Sequence, residues 1–147
     1  MNLKNQIKQR LLNFDQIRFA MIFGSAASGN DSNLSDIDVA IYSDPSLDLL
    51  DFGRLITQIE QIAQRKVDLV ELNGLIKSNN LLAYNIITNN KLIFIKDQNL
   101  FTQYKRDSFL TYFDHTFFRN KFNSMLKQRI ESNRFGKKVN ARKIKPA

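Results

Sequence analysis

An apolar run from Ile17 to Phe23 ends in Gly24-Ser25, and ten residues further on Asp36-Ile37-Asp38 opens a second apolar run that reaches Tyr42. Both runs are rich in β-branched and aromatic residues and predict strands, the second closed by Ser43-Asp44-Pro45. Alternate residues of a strand share a face. Asp36 and Asp38 therefore project together, about 6–7 Å apart along the strand, while Ile37 and Val39 turn to the core. A glycine directly after the first strand lets the backbone turn and come close to a phosphate, and the serine beside it adds a hydroxyl and an N–H. Two carboxylates on one face can share or bracket one or two Mg²⁺ ions, which take oxygen ligands and keep substrate phosphates among them. Taken singly, an Asp-x-Asp pair is an ordinary solvated strand start and Gly-Ser an ordinary turn.

A third acidic residue changes that balance. Asp68 lies in Val67-Asp68-Leu69-Val70, the middle of a strand predicted over Lys66 to Leu72. A charge among aliphatic neighbours is costly unless it is paired, binds a metal or faces water from an edge strand. In this order the three features point to metal-dependent phosphate chemistry. Asp36, Asp38 and Asp68 are the candidate catalytic and metal-ligating residues, and Gly24 and Ser25 the candidate nucleotide-binding ones.

The rest of the chain supplies a scaffold of matching size. Its 147 residues suit one domain, and 43% hydrophobic with 24% charged residues fits a globular protein. Leu3, Ile7, Leu11 and Leu12 mark a short amphipathic helix. Leu49, Phe52, Leu55, Ile56, Ile59, Ile62 and Ala63 mark a longer one. A helix over Gly74 to Ile87, a turn at Asn89-Asn90 and a strand over Leu92 to Ile95 follow, and small residues after Gly24 can open a helical turn. Beyond Asp97 the chain reads helical, with Phe101, Tyr104, Phe109, Tyr112, Phe113, Phe117, Phe118 and Phe122 along it. Helices alternating with short strands predict an α/β fold, a small mixed sheet flanked by helices with a long aromatic-rich C-terminal helical segment. So many aromatics on one helix suggest one face packed on the domain and another that docks a partner or a second copy.

The net charge of +8 is unevenly placed. Residues 1–126 carry 14 Lys/Arg against 13 Asp/Glu, and residues 127–147 carry 8 against 1. The expected organisation is a near-neutral domain over 1–126 and a basic tail over 127–147, able to touch RNA or an acidic surface or to remain solvated. The absence of cysteine removes disulfides and thiolate metal sites. No apolar run approaches a membrane span and the first residues lack a signal-peptide core, so a cytoplasmic protein is expected. His115 is the single histidine and, without a partner, suits a surface or packing role. Glu71 reads as a solvated strand end.

The segment GSAASGNDSNLSDID resembles the GS-x10-DxD signature of minimal nucleotidyltransferases of the DNA polymerase β-like superfamily. The stretches VDLVELNGLIKSNNLLAYNIITNNKLIFIKD and FTQYKRDSFLTYFDHTFF are similar to the second half of the MNT antitoxins of HEPN–MNT toxin–antitoxin modules. Tyr112-Phe113-Asp114 stands where those proteins carry a Tyr-x-Asp-type element. The resemblance covers about residues 10–130. It implies two Mg²⁺ ions held by Asp36, Asp38 and Asp68, ATP as substrate, and Gly24 and Ser25 holding the outgoing pyrophosphate. It also implies transfer of AMP to a tyrosine of a cognate HEPN ribonuclease toxin. Many such proteins carry arginine where Ser28 stands here, so a contact to the triphosphate is either supplied elsewhere or lost. Two other readings remain at this level: transfer to a small hydroxylated molecule, as in aminoglycoside-modifying relatives, and an antitoxin that masks its toxin by binding alone. The chain is not itself the toxin, since it has no Arg-x4–6-His motif.

Overall fold

Four strands hydrogen-bond into one sheet in the order β3-β2-β1-β4, as described for residues 2–28 and 35–133 of a computed structural model. Along the chain, α1 (Leu3–Leu12) precedes β1 (Ile17–Phe23), α2 (Ser25–Ser28), β2 (Ile37–Ser43) and α3 (Leu49–Ala63). Then come β3 (Val67–Glu71), α4 (Leu75–Ser78), α5 (Asn80–Thr88), β4 (Asn90–Ile95) and α6 (Gln98–Asn133). β1 pairs antiparallel with β2 and β4, while β2 pairs parallel with β3 across the α3 crossover, so the sheet is mixed as expected.

The period of two in the strands sorts their side chains to two separate cores. Ala20 and Ile22 of β1 with Ile37, Val39 and Ile41 of β2 pack against Ile7 and Leu11 of α1 and Leu55 and Ile59 of α3. On the other face Phe19 and Met21 meet Ile86 and Ile87 of α5 and Phe101 and Tyr104 of α6. Phe19 stacks on Tyr42 at 5.1 Å and takes Phe101 edge-on at 5.1 Å. The Tyr104 hydroxyl donates to Leu72 O at 2.8 Å; burial, then neighbouring Tyr42, pushes its pKa up.

Polar side chains set the helix ends. Asn2 and Asp48 accept from the third residue beyond them and start α1 and α3. The single helix expected over Gly74 to Ile87 is two, because Asn79 leaves helical geometry (φ −154, ψ 77) and caps α5 through Leu82 N. The Asn89-Asn90 turn is not left-handed. Asn89 has φ −134, and Asn90 instead donates to Ile86 O and Ile87 O, closing α5 as β4 begins. Leu49, placed by its period on the apolar face of α3, is 87% exposed.

The chain divides into two compact units, Met1–Phe109 and Leu110–Ala147. The first holds the sheet and both cores. In the second, the described part is the later course of α6, where Leu110, Phe113, Phe118, Phe122, Met125, Leu126 and Ile130 are all exposed. Among the described residues no helix is long and apolar enough to cross a membrane. Most of the basic tail, residues 134–147, lies outside the described residues, as do Gly29 and Asn30 and the side chains of Ser28 and Phe117.

Candidate active site

Strand register brings the candidate residues together. In the antiparallel pair Phe23 stands opposite Asp38, so Gly24, the next residue, meets the Asp38 side chain where β1 ends. In the parallel pair Asp38 stands opposite Asp68. Side chains in register project from the same face, so Asp68 lies beside Asp38, solvent-exposed on the edge strand. Asp36, just before β2, is exposed, and Asp38 is half-buried. All three acidic residues expected in the site are therefore gathered at one corner of the sheet.

Gly24 has φ +74, and a Cβ built there would overlap Asp38 Oδ2. Both the left-handed turn and the close carboxylate require glycine. Ser25 follows as the first residue of α2, half-buried, and Ala27 N donates to Gly24 O at 3.1 Å to close that turn.

Electrostatics agree with the geometry. Burial pushes the Asp38 carboxyl above its ordinary value, and the charge of Asp68, a hydrogen bond with Asp68 and the charge of Asp36 add to the shift. Every group that shifts Asp38 through charge is acidic, so the corner concentrates negative potential. The donor set is oxygen throughout, which suits Mg²⁺. Among the described residues no three acidic, histidine or cysteine side chains form a ready-made shell, and this too is what Mg²⁺ tolerates. It is bound by one or two carboxylates plus water and substrate phosphate rather than by a closed protein cage. The residues fit the ion.

Backbone and side-chain contacts hold β3 against β2. Ile37 N donates to Lys66 O at 2.9 Å and Leu72 N to Ile41 O at 2.7 Å. Arg65 Nε donates to Ser35 O at 3.0 Å, and Val67 N to Glu60 Oε2 at 3.0 Å. Glu71 is no solvated strand end. Its Oε2 accepts from Ser43 Oγ and Ser46 Oγ at 2.8 Å each and from Leu47 N at 3.2 Å. Asn73 takes both backbone groups of Ser43, accepting from its N–H at 3.1 Å and donating to its carbonyl at 2.5 Å. Glu71 reads as solvated in the sequence and Asn73 does not stand out there; a serine closing a buried strand, with Glu ending the next strand and Asn just past it, is the signal that could have marked them. A shallow depression lined by Leu49, Leu50, Gly53, Arg54, Thr57 and Gln58 on α3 holds none of the acidic residues.

A family model described as polymerase beta, nucleotidyltransferase, matches residues 5–99. Among solved structures, a chain from a toxin–antitoxin complex with AMP-PNP superimposes with a TM-score of 0.70 at 21% identity, covering 84% of this chain and 98% of that one. A chain of the MntA–HepT toxin–antitoxin pair gives 0.64 at 21% identity, over 85% and 97%. A chain from a complex of tri-AMPylated Shewanella oneidensis HEPN toxin with MNT antitoxin gives 0.64 at 19%, over 85% and 96%. At these identities the likeness establishes a shared fold. No curated protein matches the chain in sequence at a significant level.

Proposed function

The chain belongs to the polymerase beta nucleotidyltransferase family, and from that membership we propose that it is an Mg²⁺-dependent adenylyltransferase that modifies a tyrosine of a cognate HEPN ribonuclease toxin and so acts as its antitoxin. One observation carries the chemistry: Asp68 is in register with Asp38 on one face, with Asp36 near and Gly24 against the Asp38 carboxylate. Solved structures of the same fold, one with AMP-PNP and one with a tri-AMPylated HEPN toxin, support the choice of nucleotide and acceptor.

In this reading Asp36, Asp38 and Asp68 hold divalent ions, two in the full site. A metal bound there would offset charge on the triphosphate and acidify the attacking hydroxyl. Gly24 brings backbone close to the departing phosphates and Ser25 offers its hydroxyl and N–H to them. The acceptor tyrosine oxygen forms a bond to the α-phosphorus of ATP, the bond from that phosphorus to the bridging oxygen breaks, and pyrophosphate leaves. Asp68, exposed on the edge strand, accepts the tyrosine proton or passes it to solvent. The exposed apolar side of α6 supports a docking role toward the toxin.

Intact mass of a purified HEPN partner, incubated with this protein, ATP and Mg²⁺, tests the proposal. Addition of AMP, lost in an Asp36→Ala/Asp38→Ala variant, is the expected result. Toxicity still suppressed by that variant, with no mass added by the parent, would instead assign masking by binding.

A further inference from the structure

β3 poses a mechanical problem. It is five residues long and, among the described residues, lies at the sheet edge with β2 as its single strand neighbour. It nevertheless carries Asp68, whose place beside Asp38 depends on register. A slip of one residue would turn Asp68 to the opposite face, and a slip of two would carry it about 6–7 Å along the strand. Parallel pairing is the weaker ladder per residue, and so short a ladder does little to forbid either slip.

We propose that Glu71 and Asn73 are positioning residues, a two-pronged clamp on Ser43 that fixes the register of β3 and thereby sets Asp68 against Asp38. The proposal rests on the nucleotidyltransferase reading of the site. Ser43 ends β2 and is fully buried, so its N–H, carbonyl and hydroxyl all need partners. Asn73 takes the first two and Glu71 the third. The two prongs bracket the Leu72 N to Ile41 O bond, so three consecutive residues of the β3 exit are tied to the end of β2. Glu71 further holds Ser46 Oγ and Leu47 N, fastening the loop into α3 to the same point. These partners lie 24 to 30 residues apart in sequence, and any slip of β3 would break them together. They leave buried donors and acceptors of Ser43 unsatisfied, so the clamp penalises the wrong register as well as favouring the right one.

Mn²⁺ titration of the full chain by electron paramagnetic resonance, with amide hydrogen exchange across Leu69 to Glu71, tests the clamp. In Asn73→Ala and Glu71→Ala, Mn²⁺ affinity is expected to fall about tenfold or more and exchange in β3 to rise. Glu71→Gln, which keeps an acceptor oxygen in place, is expected to stay near the parent in both. A variant that unfolds at a lower temperature yet, while folded, keeps parental Mn²⁺ affinity and β3 protection would overturn the proposal. If Asn73→Ala does not fold, Asn73→Asp, which keeps the acceptor for Ser43 N and removes the donor to its carbonyl, decides by the same two readouts. If the parent chain binds no Mn²⁺, the reading of the site fails, and β3 exchange still decides whether Glu71 and Asn73 hold the strand.

Discussion

Gly24 and Asp38 constrain one another directly. The glycine occupies a left-handed backbone with the Asp38 carboxylate where its side chain would be. A Gly24→Ala substitution must therefore strain the turn, displace the carboxylate, or both. We expect it to cost about 1–3 kcal/mol of stability, read from urea unfolding. Because it would move a proposed metal ligand, it is also expected to lower AMP transfer about a hundredfold. Asp38 also makes stability depend on pH. Its pKa is raised in the folded chain, so the folded state holds that proton more tightly than the unfolded one. The resulting stabilisation is fully present below the ordinary carboxylate pKa and is lost as pH rises through the raised value. Without divalent metal, the urea midpoint is expected to fall with rising pH across that window. In Asp38→Asn this dependence should flatten, leaving the metal-free protein at least as stable at neutral pH while transfer disappears. A parental slope retained in Asp38→Asn would assign the pH dependence to another group.

At the scale of elements, what was legible in the sequence is what depends on local periodicity. α1 and the bounds of α3 follow from the 3.6-residue recurrence of apolar positions. The strand positions follow from alternation, except that Asp36, expected as the first residue of β2, lies just before it. Asp68 was legible as a charge out of place in an aliphatic strand, and its partner follows from register. Illegible were features decided by contacts distant in sequence or by a single dihedral. Asn79 breaks one expected helix into α4 and α5 because its side chain caps the second at the expense of continuing the first. Glu71 reads as exposed until the loop after β2 is folded over it. Leu49 fits the apolar stripe of α3, yet lies in the first turn, beyond the reach of the core. α6 divides in the same way: Phe101 and Tyr104 are buried, while Phe118 and Phe122 are 72% and 53% exposed. An exposed aromatic stripe of that kind should matter for a partner and little for the fold. Phe118→Lys with Phe122→Glu is expected to shift unfolding by no more than about 0.5 kcal/mol per substitution and to abolish co-purification with a HEPN toxin. Undiminished co-purification would place the docking surface elsewhere.

Across the whole molecule, charge explains why nucleotide and metal should act together. The body of the chain is close to neutral, with 14 basic and 13 acidic residues over 1–126, but the sheet corner holding Asp36, Asp38 and Asp68 is acidic. Among the described residues, the charges that raise Asp38 are those of Asp68 and Asp36. A triphosphate alone would meet these carboxylates, so the site is expected to reject ATP in the absence of a divalent ion and accept it with one. Binding to the folded state raises stability by mass action, by about 2.7 kcal/mol when ligand stands at a hundredfold its dissociation constant. Thermal unfolding can therefore read the coupling without any acceptor protein present. Mg²⁺ with ATP is expected to raise the transition temperature markedly, ATP with chelator to leave it unchanged, and Mg²⁺ alone to give a smaller rise as it relieves the repulsion at Asp38. Both rises should vanish in Asp36→Ala/Asp38→Ala. A rise with ATP and chelator equal to that with Mg²⁺ would mean that the nucleotide is held by groups other than these aspartates, and the metal would lose its place in the reaction.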